Sequence, residues 1–172
     1  MMMCKQTNGF LVGDLGDKIT GSDEAYACTT TSNDIGPCAR SVFQIQKVES
    51  EEHPGNVITY GQEVRFVSNP HLFKKPLYLH STQVSPQVFA RFSRNQEVCL
   101  HSKCIYNTVW IILPCEGLKS PLIGTPVQPN SELIIEHCAT KEYLSNDKIQ
   151  YGNEYGLEYE VSCKRHVIKQ KA

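Results

Sequence analysis

The chain of 172 residues lacks several things that would fix its class at once. No apolar run approaches the ~20 residues that carry a helix across a bilayer. The opening stretch, MMMCKQTNGF, has no apolar leader segment. No Asn-x-Ser/Thr sequon occurs, so there is no N-glycosylation mark of a secreted surface. Charge of one sign is also missing: 17 basic against 18 acidic residues give a net charge of -1, without the electrostatic footprint of a nucleic-acid or anionic-membrane binder. No Cys-x-x-Cys pair occurs, although there are 8 cysteines. Cys99 and Cys104 flank His101, but no second close pair follows, and a structural zinc site usually needs two. Gly13-Asp14-Leu15-Gly16 has neither the lysine nor the spacing of a phosphate loop. These absences favour the reducing cytoplasm, scattered thiols that act as small buried hydrophobes, and no metal or cofactor.

A helical hydrophobic period is absent as well. What is present is a succession of short β-rich runs at 10–12, 25–28, 41–48, 57–60, 63–67, 77–80, 97–101, 108–113, 131–138, 142–144 and 157–163. Turn residues such as Ile35-Gly36-Pro37, His53-Pro54-Gly55 and Asn69-Pro70 separate them. Residues 86–92 read as a helical turn. No linker, low-complexity tract or second domain interrupts the chain, so one all-β domain over 1–172 is expected.

Internal similarity narrows the all-β options. RSVFQI at 40–45 aligns with NTVWII at 107–112, placing Phe43 on Trp110 at an offset of 67 residues. EVRFV at 63–67 aligns with ELIIE at 132–136, and LYLHS at 77–81 with EYLSN at 142–146. Residues 9–48 read as the back part of an earlier copy, with Tyr26 and Phe43 at the aromatic positions. Three copies of a short-stranded unit, at about 1–55, 56–118 and 119–172, predict a β-trefoil.

The most suggestive chemistry is Glu136-His137-Cys138, which could be a nucleophile beside its base. Side chains alternate across a strand. Aligning Leu133 and Ile135 with Val64 and Phe66 puts His137 on the core face at the strand end and Cys138 on the other face. That reads as a structural histidine and an ordinary thiol, and no Gly-rich elbow frames the cysteine. A Cys/His hydrolase stays as a minor alternative, as does a carbohydrate- or protein-binding trefoil module. Against the sugar-binding form, the single tryptophan, Trp110, follows Thr108 rather than a Gln two places earlier.

Four stretches then carry a resemblance: GDLGDKITGSDEAYACTTTSNDIGPCARSVFQIQ, VITYGQEVRF, LYLHS and above all GTPVQPNSELIIEHCATKEYLSND, followed by YGNEYGLEYEV. In order and spacing these resemble the cilia- and flagella-associated protein 161 family over nearly the whole chain. The resemblance implies a MIR-like trefoil and a non-catalytic microtubule inner protein. It would sit in the A-tubule lumen of axonemal doublets in the cilium, where it would contact α/β-tubulin and other inner proteins and support motility. It brings no catalytic residues, no cofactor, no nucleic acid and no membrane. The chain starts inside the family's first repeat, and CKRHVIKQKA stops before the final aromatic strand, so a trefoil incomplete at both ends, with open sheet edges, is expected. The tubulin lattice is acidic, which makes the local basic clusters the expected contacts: Lys74 and Lys75 in a Pro-bounded loop, and Lys164 and Arg165 near the end. Tyr106 and Phe92 read either as exposed aromatic anchors or as core.

Overall fold

Ten strands supply almost all of the regular structure in this computed structural model, which describes residues 1–48, 57–72 and 75–165. They are β1 (Leu11–Lys18), β2 (Ala25–Thr30), β3 (Phe43–Lys47), β4 (Glu63–Ser68), β5 (Tyr78–Ser81), β6 (Gln96–His101), β7 (Trp110–Pro114), β8 (Leu133–His137), β9 (Tyr143–Asn153) and β10 (Gly156–Lys164). Single 3-10 turns precede β3 (Ala39–Ser41) and β7 (Tyr106–Thr108), and a third spans Gly117–Lys119.

Most of these strands form where period-2 apolar patterns meet turn chemistry. In β4, Val64 and Phe66 are buried while Glu63 is exposed and Arg65 half-buried. Two expected elements do not form. Residues 57–60 contribute only a bridge between Thr59 and Pro126, and residues 86–92 form no helix. The second stretch is a turn held from outside: the buried Glu160 carboxylate accepts the amides of Phe92 and Ser93, both at 2.8 Å.

The all-β expectation holds, but the β-trefoil does not. A trefoil closes six barrel strands and caps them with three hairpins. Here all ten strands join one antiparallel sheet. Eight of them close a ring in the order β2, β6, β5, β4, β7, β8, β9, β10 and back to β2. β1 lies outside on β2, and β3 outside on β4. The physical reason lies in edge pairing. Internal similarity reports which face of a strand is apolar but not which neighbour its backbone bonds. The long β9–β10 hairpin pairs from Gly156↔Asn153 to Lys164↔Tyr143, and β10 then reaches both β2 and β6.

The core is drawn from the strands of this ring and from β1. Val64, Phe66, Leu79, Leu100, Trp110 and Ile112 are its centre, with Leu11, Val98, Ile135 and Val161 around them. Each such side chain contributes roughly 1.5–3 kcal/mol by leaving water. Trp110 is completely buried, and its indole N–H donates to the Leu79 carbonyl at 2.8 Å, so its one polar atom is satisfied.

Candidate functional site

Glu136 and His137 end β8, and Cys138 opens the turn after it. The register pairs His137 with Trp110, and their rings lie 4.8 Å apart between centroids. The ring is fully buried and both nitrogens are used. Nε2 lies 3.0 Å from the Asn107 carbonyl, which can only accept, so Nε2 carries the proton. Nδ1 then accepts the Thr140 hydroxyl at 2.9 Å, and Thr140 in turn accepts the Gln96 side-chain amide at 2.9 Å. Burial holds the His137 pKa below its ordinary value despite the opposing Asn107 bond. Cys138 is buried and its thiol is pushed up to about 12 by burial, so it is not a thiolate at neutral pH. A neutral histidine with both nitrogens engaged, beside a protonated thiol, is a structural latch rather than a nucleophile with a base. Glu136 is buried, with the Lys141 ammonium 3.4 Å from its Oε1.

All eight cysteines are free thiols; Cys28, Cys99, Cys138 and Cys163 are buried, while Cys104 and Cys115 are exposed. Cys99 and Cys104 do not converge on a metal. Among the described residues no group of three or more His, Cys, Asp or Glu is placed to hold one. No helix among them is long and apolar enough to cross a membrane.

Of the basic residues singled out in the sequence, Lys74 lies outside the described residues, and Lys75 is exposed in the bend before β5. Lys164 and Arg165 sit together at the end of β10. Lys164 pairs with Asp147, a carboxylate that also accepts Asn95 Nδ2 at 2.7 Å and the Ser162 hydroxyl at 3.1 Å. Burial would raise the Asp147 pKa, but the bonds from Lys164, Ser162 and Asn95 hold it below the usual carboxylate value. Arg165 is 88% exposed, with Nε 3.3 Å from Glu142 Oε1. Tyr106 and Phe92 are both exposed, and Phe92 stacks at 4.9 Å on Tyr151.

Lys164 and Arg165 border a groove of about 560 Å³ whose lining also includes Arg94, Gln96, Thr140 and Glu142. Lys75 is not part of it. Sequence reasoning missed Arg94. Its φ of +62 places it in the left-handed region, and its guanidinium lies 4.3 Å over the Phe89 ring. The signal available was slight: arginines flanking a turn in Arg91-Phe92-Ser93-Arg94-Asn95. The groove can bind anionic groups, since its lining carries three cationic side chains and one carboxylate.

The fold is shared with the SDF2-like protein from Arabidopsis thaliana, at TM-score 0.73 and 19% identity over 95% of this chain and 83% of that one. Two curated relatives are both cilia- and flagella-associated protein 161. The Danio rerio protein is 30% identical over 146 residues, 82% of this chain and 47% of its own length. The Bos taurus protein is 28% identical over 166 residues, 90% of this chain and 51% of its own. The chain thus spans about half the length of the curated relatives it matches. The model of the cilia- and flagella-associated protein 161-like domain matches residues 22–171, which takes in the strands from β2 to β10 and both sides of the groove. By that match, this chain belongs to the cilia- and flagella-associated protein 161 family.

Proposed function

We propose that this chain is a non-catalytic structural module of the ciliary axoneme, bound in the A-tubule lumen of the doublet against tubulin and neighbouring inner proteins. The family match over residues 22–171 carries this reading, because the family is named for cilia and flagella. The groove is consistent with it. A chain of net charge -1 gathers Arg94, Lys164 and Arg165 on one surface, as a contact to an acidic lattice requires. Lys74 and Lys75 supply a second basic contact. Weak contacts of this kind add up when the lattice repeats and several neighbours bind at once.

The test is stepwise extraction of isolated axonemes, probing for this chain at each step. It should resist high salt and appear only when detergent opens the doublet wall. Release in the first mild wash, or absence from axonemes, refutes the reading.

A further inference from the structure

We infer that the groove at the end of β10 is a seat for an extended acidic peptide segment, held by carboxylate contacts to Arg94 and Arg165. The inference rests on the reading above in one respect, that the chain's partners are proteins.

The groove brings the two arginines to one surface. β10 pairs with β6 at Ser162↔Glu97 and Cys163↔Gln96. Beyond that last pair the ladder ends: Arg165 follows β10, and Arg94 lies two residues before β6 in the turn that leads into it.

The turn that presents Arg94 is built against local preference. A non-glycine residue at φ +62 is held there by bonds around it. The Arg94 amide donates to the Ala90 carbonyl at 3.1 Å, and Glu160 clamps the two preceding amides. Its guanidinium lies over Phe89, and it has no ion-pair partner among the described residues. Arg165 gives Glu142 only its Nε, so both terminal amino groups remain for a second carboxylate in the bidentate mode. A groove of about 560 Å³ has room for a short run of residues. A long polyanion such as nucleic acid would run on over the remaining surface, which is net negative once these three cations are set aside.

The experiment is fluorescence anisotropy of the isolated chain with a labelled peptide of alternating Glu and Gly, at low salt, against the matching Gln and Lys peptides and a thymidine oligonucleotide. The Glu peptide should bind, weaken with salt, and lose about five- to tenfold in affinity in Arg94→Gln and in Arg165→Gln. Lys103→Gln, whose exposed lysine pairs with Glu24 away from the groove, should bind as the parent does. Glu142→Gln removes the one lining carboxylate and should tighten binding, a gain that misfolding cannot mimic. No binding of the Glu peptide at millimolar concentration overturns the inference. So does equal binding of the Gln peptide, an unchanged affinity in both arginine variants, or tighter binding of the oligonucleotide. The assay uses no axonemes, so its failure leaves the extraction result standing, and early release in the extraction leaves peptide binding standing.

Discussion

Arg40 is the ion-pair partner of a fully buried carboxylate, so its removal should be costly to this fold. It sits in the 3-10 turn Ala39–Ser41 and reaches the ring, where Nη2 lies 2.6 Å from Glu158 Oε1 and Nη1 donates to the Gly13 carbonyl at 3.2 Å. Tyr155 packs beneath the guanidinium at 3.4 Å. The Glu158 side chain is 0% exposed and also accepts the Thr29 hydroxyl at 2.6 Å and Asn153 Nδ2 at 2.8 Å. Burial alone would raise the Glu158 pKa, but the bonds from Arg40, Thr29 and Asn153 hold it below the ordinary carboxylate value. Arg40→Ala leaves a buried carboxylate with neutral donors only, a loss of about 3–5 kcal/mol. At ~2–4 °C per kcal/mol for a chain of this size, the melting temperature should fall by roughly 6–20 °C. Urea unfolding followed by the emission of Trp110, the single tryptophan and fully buried, reads this directly. The pH dependence provides a second check. In the parent, the Glu158 contribution is present above the unfolded value of about 4.5 and is lost as pH falls through the lower folded value. Without Arg40, burial dominates, the folded pKa rises above the unfolded one, and the penalty should shrink as acid neutralises the carboxylate. Arg40→Ala with Glu158→Gln should recover part of the loss at neutral pH. A cost below about 1 kcal/mol at pH 7, or a penalty that stays constant on acidification, would refute the reasoning, since breaking a buried pair should exceed that.

Gly9→Ala should destabilise by about 1–3 kcal/mol, read as a lower melting temperature, because the added Cβ would lie 1.8 Å from the Thr31 carbonyl oxygen and force the β1 entrance apart. His80, packed 5.0 Å from the His101 ring, is pushed down to about 4 by burial and then by the neighbouring histidines. The unfolded chain therefore takes up a proton near 6.5 that the folded chain refuses. Stability should fall by about 1.4 kcal/mol per pH unit on acidification from 6.5 towards 4. Urea midpoints at pH 7 and pH 5 measure this, and His80→Asn should reduce the difference, leaving the part contributed by His137.

Strand positions were legible because period-2 apolar patterns and turn residues are local. The stretch 131–138 became β8 (Leu133–His137), and 157–163 became β10 (Gly156–Lys164). β9, expected only at 142–144, runs to Asn153: its later half, DKIQYGN, alternates half-buried Ile149 and Tyr151 with exposed Lys148 and Gln150, a stripe of two residues cut short by Gly152, and its length is set by its bonds to β10. The closure was not legible for a related reason. Nothing in β10 announces that it will serve β9, β2 and β6 along one edge or the other. At the site, Lys164 and Arg165 could be found as a charge cluster. Arg94 could not, because its place depends on a turn fixed by Glu160, 66 residues further along the chain.

His137 links the two halves of the structure, and that link bears on how the groove binds. Gln96 and Thr140 line the groove. From them the bonds run inward: the Gln96 amide to Thr140, the Thr140 hydroxyl to His137 Nδ1, and His137 Nε2 to the Asn107 carbonyl. The histidine ring lies against Trp110, whose own N–H is fixed on Leu79 in β5. Gln96 also donates to Ser81 at 2.8 Å, so the groove floor is tied to β5 by a second route. A peptide settling on this floor orders very little of the protein. The entropic cost of association then falls mainly on the peptide and on the exposed Arg165. Rigidity of this kind suits a surface that is already formed before its partner arrives. His137 thereby ties Thr140 in the groove lining to the Asn107 carbonyl and the Trp110 ring.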